Sequence, residues 1–433
     1  MMNSKNILRQ ATDFYNQEDY DSALSLTEQV LSREPSNTDA LLIKGNIFYQ
    51  KKRLQDSLQI YLQVLSQDPQ NKIALLNAAN SYLDIKDYSN AYAYAARFLS
   101  EDNGNKTALS ILGNAAIELE KYDEAKVAFL HILQIDSQDV WAYNSLSRLY
   151  QQTQDYDRAF AYGWKAVELS HGDKNQHINF GYLLYEIDSP EKQKYARLWL
   201  EKYGADSVVN HMGNAILHNN KITRAEPEYV REIFDAFAED FESVLASLDY
   251  RVPELMTEEI AQIYDTSKQD SLRILDAGCG TGLCGKALKK YALKGELFGV
   301  DISAQMLEQA HKKNCYDKLI CSDLLAYFAD TKDKFDLIVS ADVMTYFGDL
   351  KKLFQGYQKI LFQAGRILFS VSANHINDDD FYFHESGRYL HHQNYIKKLL
   401  SDNEFELEKI SEKILRFEGD NEVMGYIVCA IKK

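Results

Sequence analysis

The stretch LRILDAGCGTGLCG, residues 272–285, decides the fold of the second half of the chain. It begins with apolar residues typical of a buried strand, and that strand ends near Asp276. A loop with three closely spaced glycines follows, at Gly278, Gly280 and Gly282. A strand, a glycine-rich loop and a helical segment in this order predict an α/β domain whose loop backbone approaches a ligand closely.

Two ligand classes fit this loop. GTGLCG, residues 280–285, has the GxGxxG pattern of dinucleotide-binding domains, which would indicate an NAD-dependent oxidoreductase. The longer string DAGCGTG places the acidic Asp276 immediately before the glycines. A carboxylate near a helix N-terminus repels a pyrophosphate, so the longer string favours a cofactor without phosphate.

The next predicted strands also end in polar residues. ELFGVD ends on Asp301, KLICSD ends on Asp323, and FDLIVS ends on Ser340. A carboxylate at the end of the second strand can accept hydrogen bonds from both ribose hydroxyls, although NAD enzymes share this feature. Asp276, Asp301 and Asp323 thus place acidic residues at three successive strand ends. This arrangement predicts a nucleoside-containing cofactor at one edge of the sheet.

Together with FGVDISAQMLEQA and FDLIVSADVMTYFGDL, these motifs resemble class I S-adenosylmethionine-dependent methyltransferases. The resemblance covers residues 227–433 and implies a Rossmann-like, seven-stranded mixed sheet of order 3-2-1-4-5-7-6 with its last strand antiparallel. It implies S-adenosylmethionine as cofactor. The implied cofactor-binding residues are Asp276, Gly278, Gly280, Gly282, Asp301, Ile302, Met306, Asp323, Leu324 and Ser340.

Substrate is expected beyond the carboxyl ends of the fourth and fifth strands, where open α/β sheets bind ligands. The polar segment 374–394 supplies the predicted catalytic residues His384, Arg388 and His391. Arg388 can hold a carboxylate through two hydrogen bonds, and a histidine can accept a proton. Further candidates at the carboxyl ends of these strands are Asp342 and Tyr346 after the fourth strand, and His375 and Tyr389 in the polar segment.

Small residues recur every 34 positions in the first half of the chain, at Ala11, Gly45, Ala79, Gly113, Ser147 and Gly181. A second column holds Ala23, Ser57, Ala91, Ala125 and Ala159, then Gln193. Small residues at this period indicate pairs of closely crossing helices and resemble the tetratricopeptide repeat. The columns predict about six repeats over residues 1–203, the last one degenerate, and a linker over 204–226. One amphipathic helix, beginning at Pro227, is expected to cover the domain that follows.

The predicted fold class is therefore α + α/β: an N-terminal α-solenoid of helix pairs, then a doubly wound methyltransferase domain. The 433 residues include 48 Lys+Arg and 64 Asp+Glu, a net charge of −16. This charge argues against nucleic acid or an anionic membrane as partner. Five cysteines without a CxxC pair indicate a reducing, cytoplasmic setting and no metal site.

Two functional hypotheses follow from these features, and the NAD-dependent oxidoreductase indicated by GTGLCG alone is a third. The first is methyl transfer to a small-molecule or protein acceptor, with a protein partner in the repeat groove. The second is an interaction scaffold whose α/β domain only senses the cofactor, because no motif specific for an acceptor is recognisable.

Overall fold

The computed structural model describes residues 3–265 and 270–433, and the chain divides into two compact units, Met1–Asp173 and Lys174–Lys433. Among the described residues, no helix combines the length and apolar character needed to cross a bilayer. The helices of the predicted sixth repeat belong to the second unit. The domain limits 1–203, 204–226 and 227–433, which rest on repeat sequence, stay a prediction.

The described part of the first unit consists of consecutive helix pairs. Its helices are α1 (Ser4–Asn16), α2 (Tyr20–Leu31), α3 (Thr38–Gln50), α4 (Leu54–Gln67), α5 (Lys72–Asp84), α6 (Tyr88–Leu99), α7 (Lys106–Glu118), α8 (Tyr122–Ile135), α9 (Val140–Gln152) and α10 (Tyr156–Leu169).

Helix starts in the first unit recur with the period of the sequence. The Asn37 side chain accepts a hydrogen bond from the Ala40 amide at 3.0 Å and so caps α3. The equivalent caps of α5, α7 and α9 are Asn71, Asn105 and Asp139. Such a cap satisfies an amide that has no partner within its helix, which fixes where each repeat begins.

The turn inside each repeat contains a residue with left-handed backbone geometry. The sequence does not predict this geometry, because the residue is not glycine. These residues are Glu18, Lys52, Lys86, Glu120 and Gln154, with φ between 58° and 63°. In the second repeat the Arg53 amide then donates to the Phe48 carbonyl at 2.9 Å and closes the end of α3. None of the five is glycine, so their conformation is imposed by the repeat and not by local propensity.

The small-residue columns do mark close helix crossings, as predicted. A Cβ on Gly45 would lie 2.5 Å from Tyr61 Cε1, and one on Gly113 would lie 2.3 Å from Phe129 Cε1. Each glycine therefore makes room for an aromatic ring on the second helix of its own repeat.

The second unit combines helices with two β-sheets. Its elements are α11 (Lys174–Glu186), α12 (Glu191–Tyr203), α13 (Ser207–Ile216), α14 (Pro227–Phe237), α15 (Phe241–Ser247), α16 (Val252–Ile263), β1 (Arg273–Ala277), α17 (Gly285–Lys289), β2 (Glu296–Asp301), α18 (Ala304–Lys312), β3 (Lys318–Cys321), α19 (Leu324–Asp330), β4 (Phe335–Ser340), a 3-10 turn Met344–Tyr346, α20 (Lys351–Ile360), β5 (Leu361–Ser372), β6 (Phe381–Phe383), β7 (Tyr389–His391), α21 (Gln393–Asp402), β8 (Phe405–Glu418) and β9 (Asn421–Lys432).

The large sheet has seven strands in the order β3-β2-β1-β4-β5-β9-β8, and β6 and β7 form a separate pair. Strands β1 to β5 pair in parallel, whereas β9 runs antiparallel to β5 and to β8. Counting only strands of the large sheet, this is the predicted order 3-2-1-4-5-7-6. The fold class α + α/β is thus confirmed.

Strand register decides which polar residues reach the carboxyl edge of the sheet. Ala277, the last residue of β1, is opposite Val300, so the following Gly278 is level with Asp301. Asp301 in turn is opposite Cys321, the last residue of β3. Asp276 is opposite Gly299 and therefore lies two positions further inside the sheet than Asp301.

The prediction of a single helix after Pro227 is wrong. The structure has two helices there, α14 and α15, separated by a turn in which the Asp240 amide donates to the Phe237 carbonyl at 3.2 Å. Apolar residues continue at helical spacing across this turn, so the sequence pattern alone does not reveal it.

Helices α11 to α13 pack onto the rest of the second unit. The Lys192 ammonium donates to Glu385 at 2.6 Å, and His211 Nε2 is 2.7 Å from the Gly387 carbonyl oxygen. A Cβ on Gly181, the last glycine of the repeat column, would lie 2.6 Å from Met212 Sδ. Because of the contacts of Lys192 and His211, the helices of the predicted last repeat belong to the same compact unit as the α/β domain.

We expect Gly113→Ala to destabilise the first unit by about 1–3 kcal/mol, because the new methyl group overlaps Phe129. Gly104→Ala is the matched control, since the nearest atom to its Cβ is Asp102 Oδ1 at 4.0 Å. Calorimetric melting of the full chain measures both. Equal melting temperatures for the two variants would contradict close crossing of α7 and α8.

Candidate active site

A cavity opens at the carboxyl edge of the large sheet, within the second unit. Its described walls come from the loop after β1, from the ends of β2, β3 and β4, and from α14 and α15. The lining residues are Arg224, Ala225, Pro227, Val230, Phe234, Phe241, Leu245, Tyr250, Gly278, Gly280, Asp301, Ile302, Ser322, Asp323, Leu324, Ala341, Asp342, Val343, Tyr346, Phe347 and Arg388.

The glycine loop lies on one side of this cavity. Gly278 has φ +77°, and a Cβ there would lie 2.2 Å from Val343 Cγ2. Gly280 has φ +52°, and its Cβ position has only Phe241 Cε1 nearby, at 3.9 Å. Glycine adopts positive φ angles more readily than residues that carry a Cβ, and a side chain at Gly280 would enter the cavity.

Asp301 fixes the shape of the loop. One of its carboxylate oxygens accepts from the Gly280 amide at 2.8 Å, and the other accepts from the Ser303 amide at 2.9 Å. Burial raises the pKa of this carboxyl group, while the backbone amides oppose the rise. Asp301 lines the cavity together with the next residue, Ile302.

Asp323 follows β3 and has two roles in the structure. Its Oδ1 accepts from the amides of Leu325 and Ala326, at 3.1 and 3.2 Å, and so caps α19. Its Oδ2 forms an ion pair with Arg224, which precedes α14. Both side chains line the cavity, as does Leu324.

Four predicted cofactor-binding residues do not contribute to the described lining: Asp276, Gly282, Met306 and Ser340. Asp276 is buried and accepts a hydrogen bond from the Tyr316 hydroxyl at 2.7 Å. Met306 is fully buried, and Ser340 donates to the Ala277 carbonyl at 3.2 Å. Their roles toward a cofactor stay predictions, and their observed contacts stabilise the loop and the sheet.

The predicted catalytic residues are not brought together. Arg388 lines the cavity, whereas His384 and His391 do not contribute to the described lining. His384 Nδ1 contacts the Ser386 hydroxyl at 2.9 Å, and His391 Nε2 contacts the Phe347 carbonyl at 2.8 Å. Burial lowers the pKa of His391 to about 4, so this imidazole is neutral near pH 7.

Asp342 occupies the cavity wall after β4 in a left-handed conformation, with φ +57°. Its amide donates to the Ser370 hydroxyl at 2.8 Å, which holds the residue in place. Its Oδ1 is buried without a hydrogen-bond partner among the described residues, and Oδ2 is 3.6 Å from Arg416 Nη1. Burial raises the pKa of this carboxyl group.

Arg388 is oriented by Glu418, whose Oε1 accepts from it at 2.9 Å and from Arg416 Nη2 at 2.9 Å. The Tyr185 hydroxyl donates to Oε2 of the same glutamate at 3.1 Å. The two arginines therefore share one carboxylate, and Asp342 lies beside them on the cavity wall.

Arg224 and Tyr250 were not predicted. Arg224 lies in the segment assigned to a linker, and no local motif accompanies it. Its position becomes evident only from pairing of this segment with residues 346–349, because the partners are more than 100 residues apart in sequence.

Comparison with known proteins defines the class of both halves. Residues 268–419 match the family model described as a methyltransferase domain, and residues 8–72 and 107–139 match models described as tetratricopeptide repeats. The chain thus carries N-terminal tetratricopeptide repeats and a C-terminal methyltransferase domain, as the sequence motifs predicted.

Two curated relatives are similar to part of this domain. Human methyltransferase-like protein 27 is 37% identical over 86 residues, which are 20% of this chain and 34% of that protein. The malonyl-[acyl-carrier protein] O-methyltransferase of Legionella pneumophila is 35% identical over 95 residues, 22% of this chain and 29% of that protein. The chain spans about a third of the length of these relatives.

Two solved structures are each similar to about half of the chain. Magnesium protoporphyrin IX methyltransferase of Synechocystis is 18% identical, with a TM-score of 0.39 over 48% of this chain and 100% of that one. A tetratricopeptide repeat protein of Parabacteroides merdae is 20% identical, with a TM-score of 0.42 over 53% of this chain and 90% of that one.

We expect Asp276→Asn to stabilise the second unit more in alkaline than in acidic solution. Burial raises the pKa of Asp276 from 3.8 to about 7. Between these values the folded chain binds a proton that the unfolded chain releases, so wild-type stability falls as the pH rises toward about 7. Asparagine cannot ionise, and its amide oxygen still accepts from Tyr316.

The advantage of Asp276→Asn is expected to be on the order of 1–4 kcal/mol at about pH 8 and much smaller at about pH 5. Calorimetric melting at the two pH values measures it. Asp330→Asn, which changes an exposed carboxylate, is the control and should behave alike at both. An advantage of Asp276→Asn that does not change with pH would contradict the raised pKa.

Proposed function

We propose that the methyltransferase domain transfers a methyl group from S-adenosylmethionine to a small-molecule or protein acceptor. The observation that carries the proposal is the cavity itself. The glycine loop, Asp301 and Asp323 line it together, although they follow three different strands. This is the sheet edge at which open α/β folds bind nucleosides.

The residues present fit this cofactor. The Gly280 backbone faces open space, and Asp301 retains lone pairs for ribose hydroxyls beside the two amides that it accepts. Phe234, Phe241 and Tyr346 contribute aromatic rings to the lining. Bound S-adenosylmethionine supplies a methyl group on a positively charged sulfur, and aromatic faces attract cations.

The alternative of an NAD enzyme rests on the string GTGLCG. Its last glycine, Gly285, begins α17 and packs against Cys315 and Tyr316. Gly285 does not contribute to the described lining of the cavity. The match to a methyltransferase model supports methyl transfer over hydride transfer.

We assign the acceptor end of the cavity to Asp342, Tyr346 and Arg388. Asp342 Oδ1 is buried and has no hydrogen-bond partner among the described residues, so it can receive a hydrogen bond or a proton from a hydroxyl or amine. Arg388, held by Glu418, can orient a carboxylate of the acceptor. His391 is buried behind Phe347, and His384 does not contribute to the described lining. We therefore assign proton acceptance to Asp342 rather than to either histidine.

The walls around this polar end are apolar. Val230 and Phe234 of α14 and Leu245 of α15 line the same cavity, and the Phe234 ring centre is 5.6 Å from that of Tyr346. Such walls exclude water, which strengthens hydrogen bonds and charge interactions at the reacting groups.

We propose that the repeats bind a protein partner. One described groove of the first unit is lined by Tyr15, Asn46, Tyr49, Gln50, Tyr61, Asn77 and Asn80. Asn80 is 34 residues after Asn46, in the column that follows the small residues. Amide side chains can pair with the backbone of an extended peptide. The net charge of −16 makes a protein partner a better fit than nucleic acid.

We place the protein in the cytoplasm. All five cysteines are free, and four of them are buried. Buried free thiols are typical of a reducing compartment.

Isothermal titration of the full chain with S-adenosylhomocysteine tests the cofactor. We expect binding by the wild type and at least about tenfold weaker binding by Asp301→Ala, which removes the acceptor for the Gly280 amide. Glu308→Gln on α18 alters an exposed acid and is the control. Absence of binding to the wild type would exclude the enzyme and the cofactor sensor together.

Asp342→Asn separates methyl transfer from cofactor binding. We expect S-adenosylhomocysteine affinity to stay within about twofold, while transfer of label from S-adenosylmethionine to cell-extract acceptors falls by about a hundredfold or more. Asparagine preserves size but accepts no proton. Cofactor binding without any labelled acceptor, for the wild type and the variant alike, would favour the scaffold hypothesis.

A further inference from the structure

The turn that leads into Arg388 is held by α12 and α13. This turn joins β6 to β7, and in it Glu385 accepts from the Lys192 ammonium of α12 at 2.6 Å. His211 Nε2 of α13 is 2.7 Å from the Gly387 carbonyl oxygen. Gly387 has φ +77°, and a Cβ there would lie 3.3 Å from His211 Cδ2. The backbone next to Arg388 is therefore fixed by helices that precede the α/β domain in the chain.

The side chain of Arg388 is held by Glu418, at the end of β8. Three N–H groups converge on Glu418 Oε1, from Arg388 Nη1 at 2.9 Å, Arg416 Nε at 3.0 Å and Arg416 Nη2 at 2.9 Å. Arg388 lines the cavity, whereas Glu418 and Arg416 do not contribute to its described lining. Because Nη1 of Arg388 is bound to Glu418, Nε and Nη2 are the donors that it can offer to a ligand.

Tyr185 on α11 binds the other oxygen of the same carboxylate. Its hydroxyl donates to Glu418 Oε2 at 3.1 Å, and its ring meets the His384 ring edge-on, with the ring centres 6.2 Å apart. With both oxygens bound, the carboxylate cannot rotate without breaking hydrogen bonds. Without the hydroxyl, Oε2 loses this donor and can compete with Oε1 for the two arginines. The hydroxyl thus keeps Oε1 as the oxygen that meets Arg388.

The ligand that fits this end of the cavity is a carboxylate attached to an apolar group. Nε and Nη2 lie on one edge of a guanidinium, and such an edge binds both oxygens of a carboxylate through parallel hydrogen bonds. Val230, Phe234 and Leu245 line the same cavity and can pack against the apolar part. A guanidinium that is already oriented loses less conformational freedom when the carboxylate binds.

We infer that Tyr185 is a positioning residue for a methyl acceptor that carries a carboxylate on an apolar group. Its hydroxyl fixes the carboxylate of Glu418, and Glu418 fixes the guanidinium of Arg388 toward the acceptor. Tyr185 does not contribute to the described lining of the cavity. Helix α11, predicted as part of a degenerate last repeat, therefore belongs to the acceptor site without touching the acceptor. This inference rests on the proposed function.

Two small aromatic probes test the inference on the full chain saturated with S-adenosylhomocysteine. Benzoate carries a carboxylate, and benzamide has nearly the same shape without the charge. We expect isothermal titration of the wild type to show benzoate binding at least about tenfold tighter than benzamide binding, because the carboxylate receives charge-assisted hydrogen bonds from Arg388. A wild type that binds S-adenosylhomocysteine without preferring benzoate overturns the inference. A wild type that does not bind S-adenosylhomocysteine overturns the proposed function instead.

Tyr185→Phe removes the hydroxyl and keeps the ring. We expect the preference for benzoate over benzamide to fall at least about threefold, because Arg388 is no longer held in one orientation. Affinities for benzamide and S-adenosylhomocysteine should stay within about twofold of the wild type. An unchanged preference, or an equal loss of affinity for both aromatic probes, would overturn the positioning role.

Tyr382→Phe is the matched control. The Tyr382 hydroxyl also contacts one polar side chain, His218 Nδ1 at 3.0 Å, and Tyr382 does not contribute to the described lining of the cavity. We expect this variant to keep the wild-type preference for benzoate. A loss as large as that in Tyr185→Phe would overturn the specific role of Tyr185.

Glu418→Gln tests the route from Tyr185 to Arg388. Glutamine keeps the size of glutamate, and Glu418 is partly exposed, so we expect the fold to stay intact. If Tyr185 acts through this carboxylate, Tyr185→Phe lowers the preference for benzoate in the wild type but has no further effect in Glu418→Gln. Additive effects of the two substitutions would overturn this route.

Discussion

Two hydrogen bonds from backbone amides to the carboxylate of Asp301 hold the active-site end of this protein together. The amide of Gly280 belongs to the loop after β1, and the amide of Ser303 precedes α18. One buried carboxylate thereby joins two neighbouring strand ends and a helix start. Without it the glycine loop, which has positive φ at Gly278 and Gly280, would lose the contact that selects its conformation. The cavity exists because this loop leaves space that a side chain would fill.

The repeat half depends on a different constraint, which is repetition. Small residues at a 34-residue period let aromatic rings such as Tyr61 and Phe129 enter the paired helix. The same period recurs in the helix caps and in turn residues with left-handed geometry. Each unit can bury its apolar face only against the next, so these local features must all repeat together.

Much of the active site follows from motifs that are contiguous in sequence. Gly278, Gly280, Asp301, Ile302, Asp323 and Leu324 were predicted and line the cavity. Asp276 was predicted beside them, but register places it two positions inside the sheet, where it accepts from Tyr316. The chemistry of imidazole is the reason that His384 and His391 were predicted, and burial behind Phe347 separates His391 from the lining. Residue type does not reveal such orientation, because it depends on packing between distant segments.

The two classes of domain, the strand order and the edge of the sheet at which the cavity lies could all be predicted from the sequence. Periodicity and strand-loop-helix motifs are local features, so the order of residues over a few tens of positions is enough to predict them. The tertiary structure is needed to show that Arg224 pairs with Asp323 and that Asp342 Oδ1 has no hydrogen-bond partner among the described residues. It is also needed to show that α11 and α12 pack with the methyltransferase domain. These outcomes join residues far apart in the chain. They depend on which buried polar groups find partners after the sheet and helices have closed around them.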